Sequence, residues 1–381
     1  MHPAIALALL AVAGVLATRL PRPVLPGSVP QAAFNALALV FMGVLLGPIA
    51  GILDSGLLRA LTPLTGLVVG WVGASEGARF TPRLLIRVRD SSWRRVAAVT
   101  AGTIAAVSVA AWLAAGRNPQ LAAWHPAGPV ALALGTIAAV TTRQPRYRTA
   151  GVQLSIALLC ALMAFMLTRP LAHFSGLKGL VVWLGLNGVA MGMVGLCTAV
   201  VSARARNDAE FALGILAFTS LAAGVGVATG FSPFLLCAGA AAVAAWQLDR
   251  AGRSGLRAIV TRPVPGLHGL VWVLLGVFAS VPRWWIIPAA VALAVLRAAV
   301  WLAGRRFDTR PPARYTPDAL GPVLGLNFML SSDPALGLAG GVVTTIIVLL
   351  VASMAAAPWL EHVHPPSARL TPDAVTTELR C

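Results

Sequence analysis

Apolar runs of about 15–24 residues, separated by short polar or arginine-bearing stretches, fill this chain from end to end. The runs lack the period-two alternation of strands, so they predict helices. Hydropathy places about thirteen of them, at roughly 4–18, 31–53, 59–78, 96–115, 123–142, 149–168, 179–202, 210–229, 231–248, 265–281, 284–304, 317–337 and 339–359. Two runs end in unusual text. The fifth closes on AVTTRQPRY (139–147) and the twelfth on FMLSSDPAL (328–336). Each places two hydroxyl residues, a charged residue and a proline at the end of an apolar segment. An unwound helix in hydrocarbon exposes backbone amides and carbonyls that cost several kcal/mol each unless paired. Thr141, Thr142, Ser331 and Ser332 can supply hydroxyl partners, and Pro145 and Pro334 each remove one N–H that would need one.

Composition fixes the solvent. Of 381 residues 58% are hydrophobic and 11% charged, and the mean hydropathy is +0.83. A soluble domain carries about 25% charged residues, so most of this surface faces lipid and the chain is a polytopic membrane protein. The net charge of +17 is no nucleic-acid signature, because the arginines lie in short loops between apolar runs. With the N-terminus outside, the cytoplasmic loops hold 23 of the 29 Lys and Arg residues, as the positive-inside rule requires. The first apolar stretch (1–17) lacks a basic leader and reads as a retained helix. Cys160, Cys197 and Cys237 lie inside apolar runs as small buried hydrophobes, and no metal or disulfide spacing is present. No loop exceeds about 20 residues, and no span pairs His, Asp, Glu or Ser at catalytic spacing. The pattern therefore implies neither an enzyme nor a cofactor. Lys178 is the only lysine, and Ala and Gly abound, which points to a GC-rich bacterial genome and the plasma (inner) membrane, with the C-terminus cytoplasmic.

Several stretches together resemble the monovalent cation:proton antiporter superfamily, the sodium/proton exchanger fold. VFMGVLLGPIAGILDSGLL (40–58) and LTPLTGLVVGWVGASEGARF (61–80) are similar to its early helices. LGTIAAVTTRQP (134–145) resembles its first broken helix, and the segment 209–244, with Ser232-Pro233 in register, resembles its Gly- and Ala-rich signature. AVALAVLRAAVWLAGRRF (290–307) is similar to the later helix that bears a membrane-embedded basic residue. The resemblance implies an all-α transmembrane domain over 1–360 and a short polar tail over 361–381. It also implies two inverted five-helix repeats, about 31–168 and 231–359. The fourth helix of each repeat is then span 5 or span 12, so the two polar tetrads mark broken helices that cross, interrupted at about 141–145 and 331–335. Residues at corresponding breaks of two halves are the sequence pointer to a transporter's site. Read without the resemblance, TTRQP ends span 5 at the cytoplasmic face and SSDP is a periplasmic turn.

The sequence also departs from that family. The helix after the first break, TAGVQLSIALLCALMAFMLTR (149–169), has no Asp, Glu or Asn, where the resemblance implies an acidic ion-binding residue. The remaining candidates for ion or proton binding are Asp333, Asn327, Thr141, Thr142, Ser331 and Ser332, with Arg143 and Arg297 as counter-charges. An intramembrane carboxylate such as Asp333 is a functional hypothesis by default. Glu76, close to Arg79, reads as a solvated interfacial pair. The implied partners are the lipid bilayer, protons and a monovalent cation (Na⁺ or K⁺), with a homodimer as a further assembly to test. The implied activity is proton-coupled cation exchange. The alternative is a non-transporting or channel-like protein that keeps the fold and has lost the ion-binding carboxylates.

Overall fold

A computed structural model describes residues 31–49, 62–79, 92–117, 127–140, 142–143, 177–229, 231–279, 316–317 and 320–331, with a few helical positions within 156–160 and 292–299. The helices are α1 (Gln31–Val44, continued by a π turn over Leu45–Ile49), α2 (Thr62–Arg79), α3 (Ser92–Arg117), α4 (Ala127–Val140) and α5 (Leu177–Arg204). They continue with α6 (Asp208–Ala228), α7 (Pro233–Gln247), α8 (Arg250–Thr261), α9 (Val264–Val277) and α10 (Leu320–Ser331). Two extended pairs, β1 (Thr142–Arg143) and β2 (Thr316–Pro317), complete the described elements.

Among the described residues, four helical stretches are long and apolar enough to cross a membrane: Val96–Leu113, Val181–Arg204, Asp208–Ala228 and Arg250–Val277. Shorter apolar helices run over Ala36–Gly47, Ala131–Val140 and Pro233–Gln247. Along α5, Val181, Val182, Leu186, Val189, Met193 and Val200 are exposed, an apolar surface that suits lipid and not water. The molecule is a multi-pass membrane protein. Cys237 is buried as expected, whereas Cys197 is exposed on this same lipid-facing helix and Cys160 is intermediate.

Helix α2 is the hub. It packs on α7, α6, α8, α9 and α10 and contributes to both large apolar cores. Val68, Val69 and Val72 join α1, α4, α9 and α10 in the first, and Ala74 and Ala78 join α6, α7 and α8 in the second. Its glycines recur at Gly66, Gly70, Gly73 and Gly77 and form one face, because spacings of three and four residues return to the same side of a helix. Gly73 lies on the backbone of Phe234 and Gly77 on that of Ala238. Gly43 of α1 and Gly276 of α9 meet in the same manner. Lipid tails are as apolar as leucine, so membrane helices gain little by burying apolar surface and rely on such close backbone approach.

Local sequence sets several of the described helix ends. Asn207 caps α6 by accepting from Glu210 N at 2.8 Å, and Glu210 Oε2 accepts in turn from Arg206 N at 2.8 Å. Ser232 caps α7 with Pro233 in its first turn, and Asp249 caps α8 by accepting from Gly252 N at 2.7 Å. These are the N-terminal preferences of Ser, Asn, Asp and Pro. Residues 250–261, read from sequence as part of a cytoplasmic loop, form the amphipathic helix α8. Leu256 and Val260 are buried, and the arginines tie down neighbouring helix ends. Arg253 Nε donates to Ala245 O at 2.7 Å and Nη2 to Leu248 O at 3.2 Å, while Arg257 Nε donates to Ala78 O at 2.8 Å. Each places a cation on the carbonyls at the negative end of a helix dipole. Trp71 Nε1 closes the contact by donating to Val260 O at 3.0 Å. Arg253→Met is expected to lower stability by about 1–3 kcal/mol, the cost of losing charge-assisted bonds to part-buried carbonyls. Thermal unfolding in detergent measures it.

Candidate functional site

The helix that precedes the first tetrad ends just ahead of it. Helix α4 runs to Val140 through a buried stretch in which Ile137, Ala138, Ala139 and Val140 are each 6% exposed or less. The chain is extended two residues later, at Thr142–Arg143. That extended pair meets another: Thr142 is registered against Pro317 and Arg143 against Thr316, antiparallel. Helix α10 begins at Leu320 and packs on α4, α2 and α9. Two extended segments, each joined to a buried apolar helix, thus lie side by side.

The extended pair Thr142–Arg143 meets a segment that the sequence pattern did not single out. Span 12 was expected to run from 317 to 337 and to meet span 5 through a break at 331–335. Pro317 is extended, the helix starts at Leu320, and the segment touching residues 142–143 is Thr316–Pro317. The local cause is visible in YTP (315–317): a residue preceding proline is pushed out of the helical region, and proline lacks the N–H that a helix or ladder would use. Ser331 is the last residue of α10. The expected second interruption, with Ser332 and Asp333, lies outside the described residues, as do Thr141 and Arg297.

Asn327 is described in full and already holds a task. It is 6% exposed, and its Oδ1 accepts from Ser232 Oγ at 2.9 Å and from Phe234 N at 3.2 Å. Ser232 Oγ also accepts from Leu235 N at 3.0 Å. One side-chain carbonyl on α10 therefore completes the N-terminus of α7, satisfying amides that have no partner within their own helix. Ser-Pro is a legible helix start. Nothing in the sequence says that its second acceptor comes from residue 327. Asn187, a further polar residue in an apolar run, donates back to Trp183 O of its own helix at 2.9 Å.

Glu76 also differs from expectation. Its pairing with Arg79 is present, Nη1 to Oε1 at 3.0 Å, but its side chain is 5% exposed and that of Arg79 36%. The acid is buried, because α2 is enclosed on several sides by other helices. Among the described residues no group of three or more His, Cys, Asp or Glu side chains could hold a metal ion.

At the level of sequence, no family model and no curated protein matches the chain. Its structure is similar to that of the sodium proton antiporter MjNhaP1 from Methanocaldococcus jannaschii at pH 8. The match has a TM-score of 0.60 and 15% identity, and it covers 95% of this chain and 97% of that one. The chain has the sodium/proton antiporter fold. That fold accounts for a nearly all-helical protein in which, among the described residues, only two short extended segments pair.

Proposed function

We propose that this antiporter-fold protein is a secondary active transporter that exchanges protons for a monovalent cation, Na⁺ or K⁺, across the bacterial plasma membrane. The observation that carries the reading is the antiparallel meeting of Thr142–Arg143 with Thr316–Pro317 at the end of α4 and ahead of α10. Two extended segments from the two halves of the chain come together there, and read as breaks in their spans they give the arrangement in which transporter sites form. Inverted repeats over 31–168 and 231–359, within thirteen spans, are supported by a pair of contacts. Helix α1 packs on α9, and α2 packs on α7. Exchanging the first two helices of one repeat (α1, α2) for those of the other (α7, α9) converts the first contact into the second. Both contacts use glycine-to-backbone approach.

In this reading the ion path passes the paired segments. Thr141, Thr142, Ser331, Ser332 and Asp333 serve as ligands, and Arg143 or Arg297 balances the acid, while Asn327 holds the neighbouring helix. The N-terminus is outside and the C-terminus cytoplasmic, following the arginine distribution. Reconstitution into liposomes with an imposed pH gradient tests the activity. Addition of Na⁺ or K⁺ is expected to dissipate the gradient, and Asp333→Asn to abolish that response. An unchanged gradient with Na⁺, K⁺ and Li⁺ would instead leave a protein that keeps the fold and has lost the exchange.

A further inference from the structure

We infer that the end of the bundle where α5, α7 and α8 meet binds the phosphate headgroup of an anionic phospholipid through Arg204, Arg250 and Ser202. The inference does not depend on the transport reading above. Helices α5 and α7 run side by side in the same direction: Met191 lies on Gly239, and Gly195 lies on Ala240 and Val243. Two turns beyond Gly195 on the same face of α5, Ser202 stands level with Gln247 and Leu248 at the end of α7. Arg204, the last residue of α5, is then level with Arg250, the first residue of α8.

Folding alone does not account for these groups. Ser202 is 5% exposed and its Oγ has no hydrogen-bond partner. Ser75, Thr103, Thr136 and Thr198, by contrast, each donate to a carbonyl of their own helix. A buried hydroxyl left unpaired is costly, and an acceptor oxygen brought by a ligand removes that cost. Arg250 opens α8 at the positive end of the helix dipole, where an acid is preferred and a cation repelled. Arg204 and Arg250 are both exposed, and the ion pair formed among the described residues is that of Arg79 with Glu76. Nearby acids are committed elsewhere. Asp249 Oδ1 accepts from Gly252 N at 2.7 Å, and Glu210 Oε2 from Arg206 N at 2.8 Å. Asp208 opens α6, where the positive end of that helix dipole offsets it.

The occupant is a lipid, because exposed apolar side chains flank the charges. Leu196, Val200 and Val201 near the end of α5 are exposed, and Trp246, four residues before Arg250, is 66% exposed. A tryptophan so placed belongs at the membrane interface, where its ring sits at headgroup level. Basic pockets between helices at that level hold anionic headgroups. Arg204 and Arg250 meet the phosphate oxygens through charge-assisted hydrogen bonds, Ser202 Oγ donates to one of them, and the acyl chains lie along α5.

The test places the purified full-length chain in phosphatidylcholine bilayers with increasing fractions of phosphatidylglycerol brominated in its acyl chains. Quenching of Trp246 is read as the difference between wild type and W246F, with brominated phosphatidylcholine as the reference. Wild type is expected to prefer phosphatidylglycerol about 25-fold, at about fivefold for each of two arginines. R204Q and R250Q should each lower that preference about fivefold. S202A should lower it about twofold to tenfold, the worth of one hydrogen bond, with no change of charge. It carries the test if an arginine variant fails to fold. Arg262 lies about 18 Å along α8 from Arg250, beyond a Debye length, so R262Q should leave the preference unchanged. Equal quenching by the two lipids overturns the inference, as does a preference that survives R204Q, R250Q and S202A. A loss in R262Q as large as in R250Q assigns the effect to general surface charge and overturns it too. Relief of quenching by inorganic phosphate, but not by chloride at equal ionic strength, would mark a site for a soluble anion and overturn the lipid assignment.

Discussion

Gly77→Ala is expected to lose stability by about 1–3 kcal/mol or more, whereas Gly188→Ala is expected to lose none. Both residues are glycines within apolar helices, and sequence alone treats them alike. An added Cβ at Gly77 would lie 2.7 Å from the carbonyl carbon of Ala238 and 2.8 Å from its Cα. Those are backbone atoms of α7, which cannot rotate away as a side-chain end can. Helix α7 is also seated at Gly73, through Phe234, so separating the helices at one glycine loosens both contacts. Overpacking of this kind typically costs about 1–3 kcal/mol, and in lipid no hydrophobic gain offsets the lost packing. A Cβ at Gly188 meets nothing within 4 Å, so there the substitution can gain up to about 1 kcal/mol of helix propensity. Melting temperatures of the two variants in the same detergent decide the matter. Equal values would mean that α2 and α7 are not in backbone contact.

Asn327→Leu is expected to cost about 1–3 kcal/mol and to act on α7, through donors 95 and 93 residues away in sequence. Removing Oδ1 strands two buried donors at once, the Ser232 hydroxyl and the Phe234 amide. A buried donor left without its acceptor bears its full desolvation cost. Asn327→Asp keeps an oxygen in the same position and should recover part of the loss. Ser232→Ala combined with Asn327→Leu should cost less than the sum of the two, since the hydroxyl stranded by the Asn327 substitution is then gone. Thermal unfolding of wild type, the two single variants and the double variant gives the cycle. Strict additivity would show that the two side chains do not interact.

Features set by a few neighbours along the chain were legible in the sequence. Apolar runs without alternation gave helices, the charge deficit gave lipid as the solvent, and the hydroxyl-and-proline text at 141–145 located the end of α4. The structure adds caps at Asn207, Ser232 and Asp249, which are also local, because an N-cap side chain reaches amides only two or three residues ahead. Resemblance in the order of weak motifs identified the fold, although no single motif carried it.

Partner choice was decided by tertiary structure. In a soluble helix the polar face says which side is out, but in lipid the buried and exposed faces are both apolar. The sequence of α2 therefore does not reveal that Gly66, Gly70, Gly73 and Gly77 meet α6 and α7, or that Glu76 is enclosed. Trp71 with Val260, Arg257 with Ala78 and Ser232 with Asn327 are 189, 179 and 95 residues apart. The same limit explains Thr316–Pro317. Its extended shape follows from a proline and could be read locally, whereas its pairing with Thr142–Arg143 depends on the packing of α4 against α10.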